Sequence, residues 1–150
     1  MKVCDLESRA LRSVGRIDLP DGCWSNKRGL LPGGKNLYFG DPGLYIYDRT
    51  TLKPVIAPLF PKDELLAIAF SADGSKVAVA TGQRVVVDSN LHLYDGGMQT
   101  MIRVQDLSSG KTLLAFPSPT RWVRTMALSP EASRLVVLRD DSVIESYQMP

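Results

Sequence analysis

The strongest constraint in this sequence is that it repeats. Ser71-Ala72-Asp73-Gly74-Ser75-Lys76-Val77-Ala78-Val79 is answered 58 positions later by Ser129-Pro130-Glu131-Ala132-Ser133-Arg134-Leu135-Val136-Val137. Each copy reads as an apolar strand, a polar turn and a second apolar strand. Upstream, Leu31-Pro32-Gly33-Gly34-Lys35-Asn36-Leu37-Tyr38-Phe39 reads as a third copy with its turn shortened by one residue. Pro, Asp-Gly and Gly-Gly supply the fixed or positive φ that such hairpins need. A unit this small cannot bury its own apolar face, so copies of it must stack on one another.

A second unit follows the first: a strand closed by a polar turn, in Tyr45-Ile46-Tyr47-Asp48 and in Ile102-Arg103-Val104-Gln105-Asp106. Val3-Cys4-Asp5 and Val143-Ile144-Glu145-Ser146-Tyr147-Gln148 are further instances. The closing positions 5, 48, 106 and 148 lie 43, 58 and 42 residues apart, and an insertion between Gln83 and Gly97 accounts for the long middle interval. Helical periodicity is nearly absent, because Pro, Gly and β-branched residues recur too often for an amphipathic helix. The pattern predicts strands at about 22–31, 36–40, 44–48, 54–59, 65–70, 76–81, 100–105, 111–116, 122–128, 134–139 and 142–147. Val77-Ala78-Val79-Ala80 and Leu135-Val136-Val137-Leu138 are apolar without alternation, which predicts that both faces of those strands are covered.

These residues resemble the blades of WD-repeat β-propellers over essentially the whole chain. Ile68-Ala69-Phe70-Ser71-Ala72-Asp73-Gly74 resembles the first strand and turn of a blade, and Ile102-Arg103-Val104-Gln105-Asp106 resembles the third strand. Tyr47-Asp48 and Gln105-Asp106 stand in the place of the Trp-Asp dipeptide, while Asp41 and Asp140-Asp141 stand in that of the tight-turn aspartate. No Gly-His dipeptide precedes any first strand, and no Trp-Asp pair occurs. The His/Ser/Trp/Asp network of typical members is therefore not expected.

What the resemblance implies is an all-β chain of about three blades of four-stranded antiparallel sheets. The expected blades span 22–60, 65–116 with the insertion at 83–97, and 122–148, the last incomplete. Residues 1–15 are expected to supply an outer strand that closes a blade. Because propellers ordinarily have four to eight blades, closure by a second copy or by another propeller chain is expected, unless the chain is part of a longer propeller.

Composition narrows the function classes. At 44% hydrophobic and 23% charged residues, the chain is of globular type. A net charge of +2 without a basic block argues against a nucleic-acid partner. The longest apolar run, Leu65 to Phe70, is far too short to span a bilayer, and the charged N-terminus does not read as a signal peptide, so a cytoplasmic location is expected. Two cysteines, Cys4 and Cys23, make neither a disulfide framework nor a zinc site.

No catalytic constellation is present in the sequence. His92, the only histidine, has no neighbouring ligand, and Asp140-Asp141 reads as a hairpin turn. Neither Gly33-Gly34-Lys35 nor Gly110-Lys111-Thr112 has the spacing of a phosphate loop. The expectation is a non-enzymatic interaction scaffold without cofactor or metal, its partner a protein or peptide. Alternatives are a lactonase-like or quinoprotein-like propeller enzyme with a metal or cofactor at its axis, and a structural subunit of a larger assembly. Binding residues are sought where aromatic and cationic side chains meet at blade starts: Trp24, Lys27 and Arg28, and Arg121, Trp122 and Arg124. For Trp122 the competing reading is packing between blades. The insertion offers Asp88, Asn90, His92 and Tyr94, either as a binding arm or as an added hairpin of Val85-Val86-Val87 with Leu91-His92-Leu93-Tyr94.

Overall fold

The computed structural model describes residues 2–5, 12–19, 27–40, 42–89 and 92–149, with side chains at 15–19, 27–40, 42–83 and 99–149. All regular structure in it is β: β1 (Lys2–Asp5), β2 (Arg12–Arg16), β3 (Lys27–Leu30), β4 (Asn36–Gly40), β5 (Leu44–Asp48), β6 (Glu64–Phe70), β7 (Lys76–Ser89), β8 (His92–Asp106), β9 (Thr112–Pro117), β10 (Val123–Leu128), β11 (Arg134–Arg139) and β12 (Ile144–Gln148). The strands form antiparallel sheets in the orders β3-β4-β5, β6-β7-β8-β9 and β10-β11-β12, with β1-β2 as a separate pair. Among the described residues no helix is long and apolar enough to cross a membrane.

The three larger sheets are three versions of one blade, and the turn hydrogen bonds show their correspondence. Between the first two strands, the amides of Leu31, Ser71 and Ser129 donate to the carbonyls of Asn36, Lys76 and Arg134. Inside those turns Gly34, Gly74 and Ala132 donate to Leu31, Ser71 and Ser129, each with a positive φ of 53–69°. Equivalent bonds then tie the far end of the third strand back to the first turn, from Arg49 to Lys35, Leu107 to Ser75 and Met149 to Ser133. The first turn is thus as long as the other two, not one residue shorter as the sequence pattern was read.

Stacking of the blades makes the core. One cluster lies between the first and second blades, with Leu31, Leu44 and Ile46 against Leu65, Val77 and Val79. Another lies between the second and third, with Ala78, Ala80, Ile102 and Val104 against Val123, Met126, Leu135 and Val137. Residues 77–80 of β7 are 0% exposed, because each alternate pair meets a different neighbouring sheet. The same expectation fails for β11. Leu135 and Val137 are fully buried against the second blade, but Val136 is 37% exposed, since no further sheet covers that face among the described residues.

One other expectation needs correction. Segment 54–59 is not a strand. It runs along β5 through the bridges Leu44↔Leu59 and Tyr47↔Pro54, but Pro54 and Pro58 have no amide hydrogen to continue a ladder. The insertion forms the added hairpin, as a continuation of β7 and β8, with Val86↔Asp95, Val87↔Tyr94 and Ser89↔His92 in register beyond an irregularity at Arg84/Val86. At the N-terminus, β2 pairs with β1. Ile17 and Leu19, just after β2, cover Phe39, Tyr45 and Tyr47 on the outer face of the first blade.

Aspartates close the third strands of the first two blades. Asp48 Oδ1 accepts from the amides of Thr51 at 2.7 Å and Thr50 at 3.0 Å. Asp106 Oδ1 accepts from the Ser108 hydroxyl at 2.6 Å and the Ser109 amide at 2.9 Å, which hold its carboxyl down at about 2. Asp73 is likewise held well below the usual carboxylate range, by the Ser71 hydroxyl and then by Ser75.

Two outcomes follow from this packing and turn chemistry. Val79→Asp places a charge between two sheets and should cost several kcal/mol in urea denaturation, whereas Val136→Asp should fold with a near-native midpoint; equal losses would contradict the one-sided burial of β11. Because the folded pKa of Asp106 is depressed, its stabilising effect is complete above the ordinary 3.8 and is lost as pH falls toward 2. Asp106→Ala should therefore flatten the decline of the urea midpoint across that window, and an unaltered decline would remove the turn from the account.

Candidate functional site

Strand alternation assigns the loops to two rims. The first- and third-strand turns, around residues 31–35, 71–75, 129–133, 48–53 and 106–111, form the lower rim. The starts of β6 and β10 and the connections from second to third strand form the upper rim, from which the long β7–β8 hairpin extends. On the upper rim Gly43 donates to the Asp63 carbonyl, and the Asp140 amide to the Trp122 carbonyl at 3.2 Å.

An open cleft of about 480 Å³ lies at the base of the hairpin, lined by Lys62, Asp63, Glu64, Gly82 and Gln83. Asp63 is 8% exposed and organises it. Its Oδ1 accepts from Gln83 Nε2 at 2.8 Å, and its Oδ2 from the Arg103 guanidinium at 3.3 Å. Arg103 also donates to Thr81 Oγ1 at 2.7 Å and lies 5.1 Å from the centre of the Phe60 ring. One network thus joins the residue before the first strand of the blade to its second and third strands. Asp63 and Arg103 thus form an ion-paired tie across the blade.

The third blade has its own tie in the corresponding place. Register matches Thr81 to Arg139 and Arg103 to Glu145. Arg139 donates to Glu145 Oε1 at 2.6 Å and also binds Asp141, while the Tyr147 hydroxyl donates to Glu145 Oε2 at 2.5 Å. Burial, then that bond to a carboxylate, pushes the Tyr147 phenol up to about 12.

The sequence-predicted residues divide by blade. Arg121, Trp122 and Arg124 gather at the upper rim of the third. Trp122 is 38% exposed, with the Arg121 guanidinium 6.0 Å from its ring centre, so it does not pack between blades as a buried residue. Arg124 donates to the Asp140 carbonyl at 3.2 Å, and the Arg121 carbonyl accepts from Thr100 Oγ1 at 2.5 Å. Lys27 and Arg28 belong to β3 on the first blade, with the second blade between them and the Trp122 group. Trp24, Asn90 and Asp41 lie outside the described residues. Asp88, His92 and Tyr94 are placed by backbone in the long hairpin, where Asp88 faces Leu93 and His92 faces Ser89.

Asp63, Gln83 and Arg103 were missed in the sequence reading. The available signal was a charge inside an apolar strand, Met101-Ile102-Arg103-Val104, together with Asp63-Glu64 directly before Leu65. Asp63→Ala and Arg103→Met, alone and combined, should show a coupling of about 1 kcal/mol or more in a double-mutant cycle, because either single change leaves a partly buried charge without its partner. Additive losses would show that the pair does not act as a unit.

No protein-family model matches the chain, and no curated protein does. Among solved structures it is similar to the Dos1 propeller, with a TM-score of 0.69 at 10% sequence identity, over 98% of this chain and 39% of that one. The chain thus spans about two-fifths of that structure's length, and the likeness is one of fold: these stacked sheets are part of a β-propeller.

Proposed function

We propose that the chain is a non-catalytic, cytoplasmic interaction scaffold of divergent WD-repeat-like blades, which takes a protein or peptide partner on the upper rim of its third blade. The carrying observation is the exposed Trp122 ring with Arg121 beside it and Arg124 close by. A half-exposed indole flanked by cations is the chemistry of an interface anchor, and it fits a partner that presents an apolar side chain beside carboxylates. The WD-repeat reading is supported by Asp48 and Asp106, which close third strands through the same side-chain-capped turn. Asp63 and Arg103 at the hairpin cleft are engaged with each other and with Gln83 and Thr81, which favours binding over chemistry there.

Peptide display against the full chain tests this reading. Enriched sequences should combine acidic residues with a bulky apolar one. Trp122→Ala should weaken the selected peptide at least tenfold while leaving the melting temperature unchanged, and undiminished binding would exclude this rim. A saturable rise in melting temperature with calcium would favour the metal-dependent enzyme alternative instead.

A further inference from the structure

The seam between the first and second blades is open at its lower end. A notch of about 210 Å³ lies there, walled by Leu31 and Ile46 of the first blade, Leu107 of the second, and Val55 and Ile56 of the segment beside β5. That segment leaves the space because it bulges. Its bridges fall at Leu44↔Leu59 and Tyr47↔Pro54, so Tyr45 and Ile46 face the longer run from Val55 to Pro58. In the second blade the same place is held by the full strand β9. The volume is below the roughly 300–1,000 Å³ of small-molecule sites, so the notch admits one side chain rather than a cofactor.

Asn36 stands at its mouth. It is paired with Asp48 across the sheet, on the face that carries Tyr38, Leu44 and Ile46 toward the second blade. The matching positions in the other blades are Lys76 and Arg134. Here an uncharged carboxamide replaces a cation, and no protein group bonds it among the described residues. A carboxamide offers donors and an acceptor together, the combination that meets the C=O and N–H of an extended peptide. Val55 forms an apolar lip, 48% exposed. The turns around the notch, 31–36, 48–53, 71–76 and 106–111, carry five cations, Lys35, Arg49, Lys53, Lys76 and Lys111, against three carboxylates. Asp48, Asp73 and Asp106 each accept bonds within their own turns, whereas Lys35, Arg49 and Lys53 are exposed. The charge offered to a ligand is therefore positive.

We propose that this notch binds an acidic, extended segment of a partner protein, which inserts one leucine, isoleucine or valine side chain between the blades and pairs its backbone with the Asn36 carboxamide. The site is preformed. The first turns of the two blades meet beside it, where a β-carbon on Gly74 would lie 3.2 Å from the Pro32 carbonyl oxygen. Both walls belong to blades already stacked on each other, so the site does not depend on what stands beyond either end of the stack. It lies on the rim opposite Trp122, and either proposal can fail alone.

Random peptides displayed on phage should be selected on the full chain and kept where Trp122→Ala leaves their binding unchanged. The kept set should share one aliphatic residue beside Asp or Glu. Replacing that residue by Ala in a synthetic copy should weaken binding at least tenfold by calorimetry. Val55→Glu should also weaken it at least tenfold, and Asn36→Leu, which fills the mouth and removes the amide, should abolish it, both at an unchanged melting temperature. Should Asn36→Leu fail to fold, Val55→Glu decides, together with nitrogen-15 spectra of the unaltered chain, in which the peptide should shift the backbone amides of Gly74, Ser75 and Leu107. An empty kept set, a set without acidic residues, binding that survives Val55→Glu, or unmoved amides would each overturn the proposal.

Discussion

Burial of the second blade on both faces is the constraint on which the rest of the structure depends. Its side toward the third blade is built from small residues, Ala67, Ala69, Ala78 and Ala80, and these are met by larger ones, Met126, Leu135 and Val137. Its side toward the first blade reverses the choice, with Leu65, Val77 and Val79 filling the gap. Small against large lets neighbouring sheets approach closely without voids, which is how interiors reach native density. Each Val or Leu so enclosed contributes about 1.5–3 kcal/mol relative to exposure. None of that gain is available to an isolated blade, so the blades fold as one stack or lose their shared cores.

Most of this was legible because turns and alternation are local. The three equivalent first turns follow from Pro, Gly and Ser placed at fixed offsets, and the aspartate that closes a third strand could be read directly at Asp48 and Asp106. What misled the reading was dependence on neighbours. The runs Val77–Ala80 and Leu135–Leu138 look alike in sequence, yet among the described residues only the first lies between two sheets. Segment 54–59 has the apolar content of a strand, but the amides missing at Pro54 and Pro58 limit it to bridges. For the candidate site, Trp122 could be singled out by residue type. The separation of Lys27 and Arg28 from it could not, since a sheet's thickness between them is a property of the stack.

Polar ties show the same repeat under different chemistry. Tyr47, Gln105 and Tyr147 hold matching positions near the ends of third strands. In the third blade the phenol reaches Glu145, and its ring lies 4.4 Å from that of Phe116 on the second blade. In the second blade Gln105 Nε2 reaches Thr112, but its Oε1 is buried without a protein partner. A buried acceptor left unpaired costs about 1–3 kcal/mol. The blade that is best covered by apolar contacts is thus the one that tolerates the poorer polar fit, while the third blade, covered on one side among the described residues, has the denser ionic tie through Arg139, Glu145 and Asp141.

The two ends of the stack differ in a way that also bears on binding. The first blade is closed off by Ile17 and Leu19, which follow β2, and Gly15 permits that approach: a β-carbon there would lie 2.2 Å from Leu52 Cδ1. Among the described residues the third blade has no such cover, and its aliphatic face and its rim are both exposed on one sheet. They are nonetheless distinct surfaces. The rim presents an indole and guanidinium groups at the end of the sheet, whereas the face presents uncharged side chains along its strands. A partner of the proposed kind on the rim would therefore leave the face untouched.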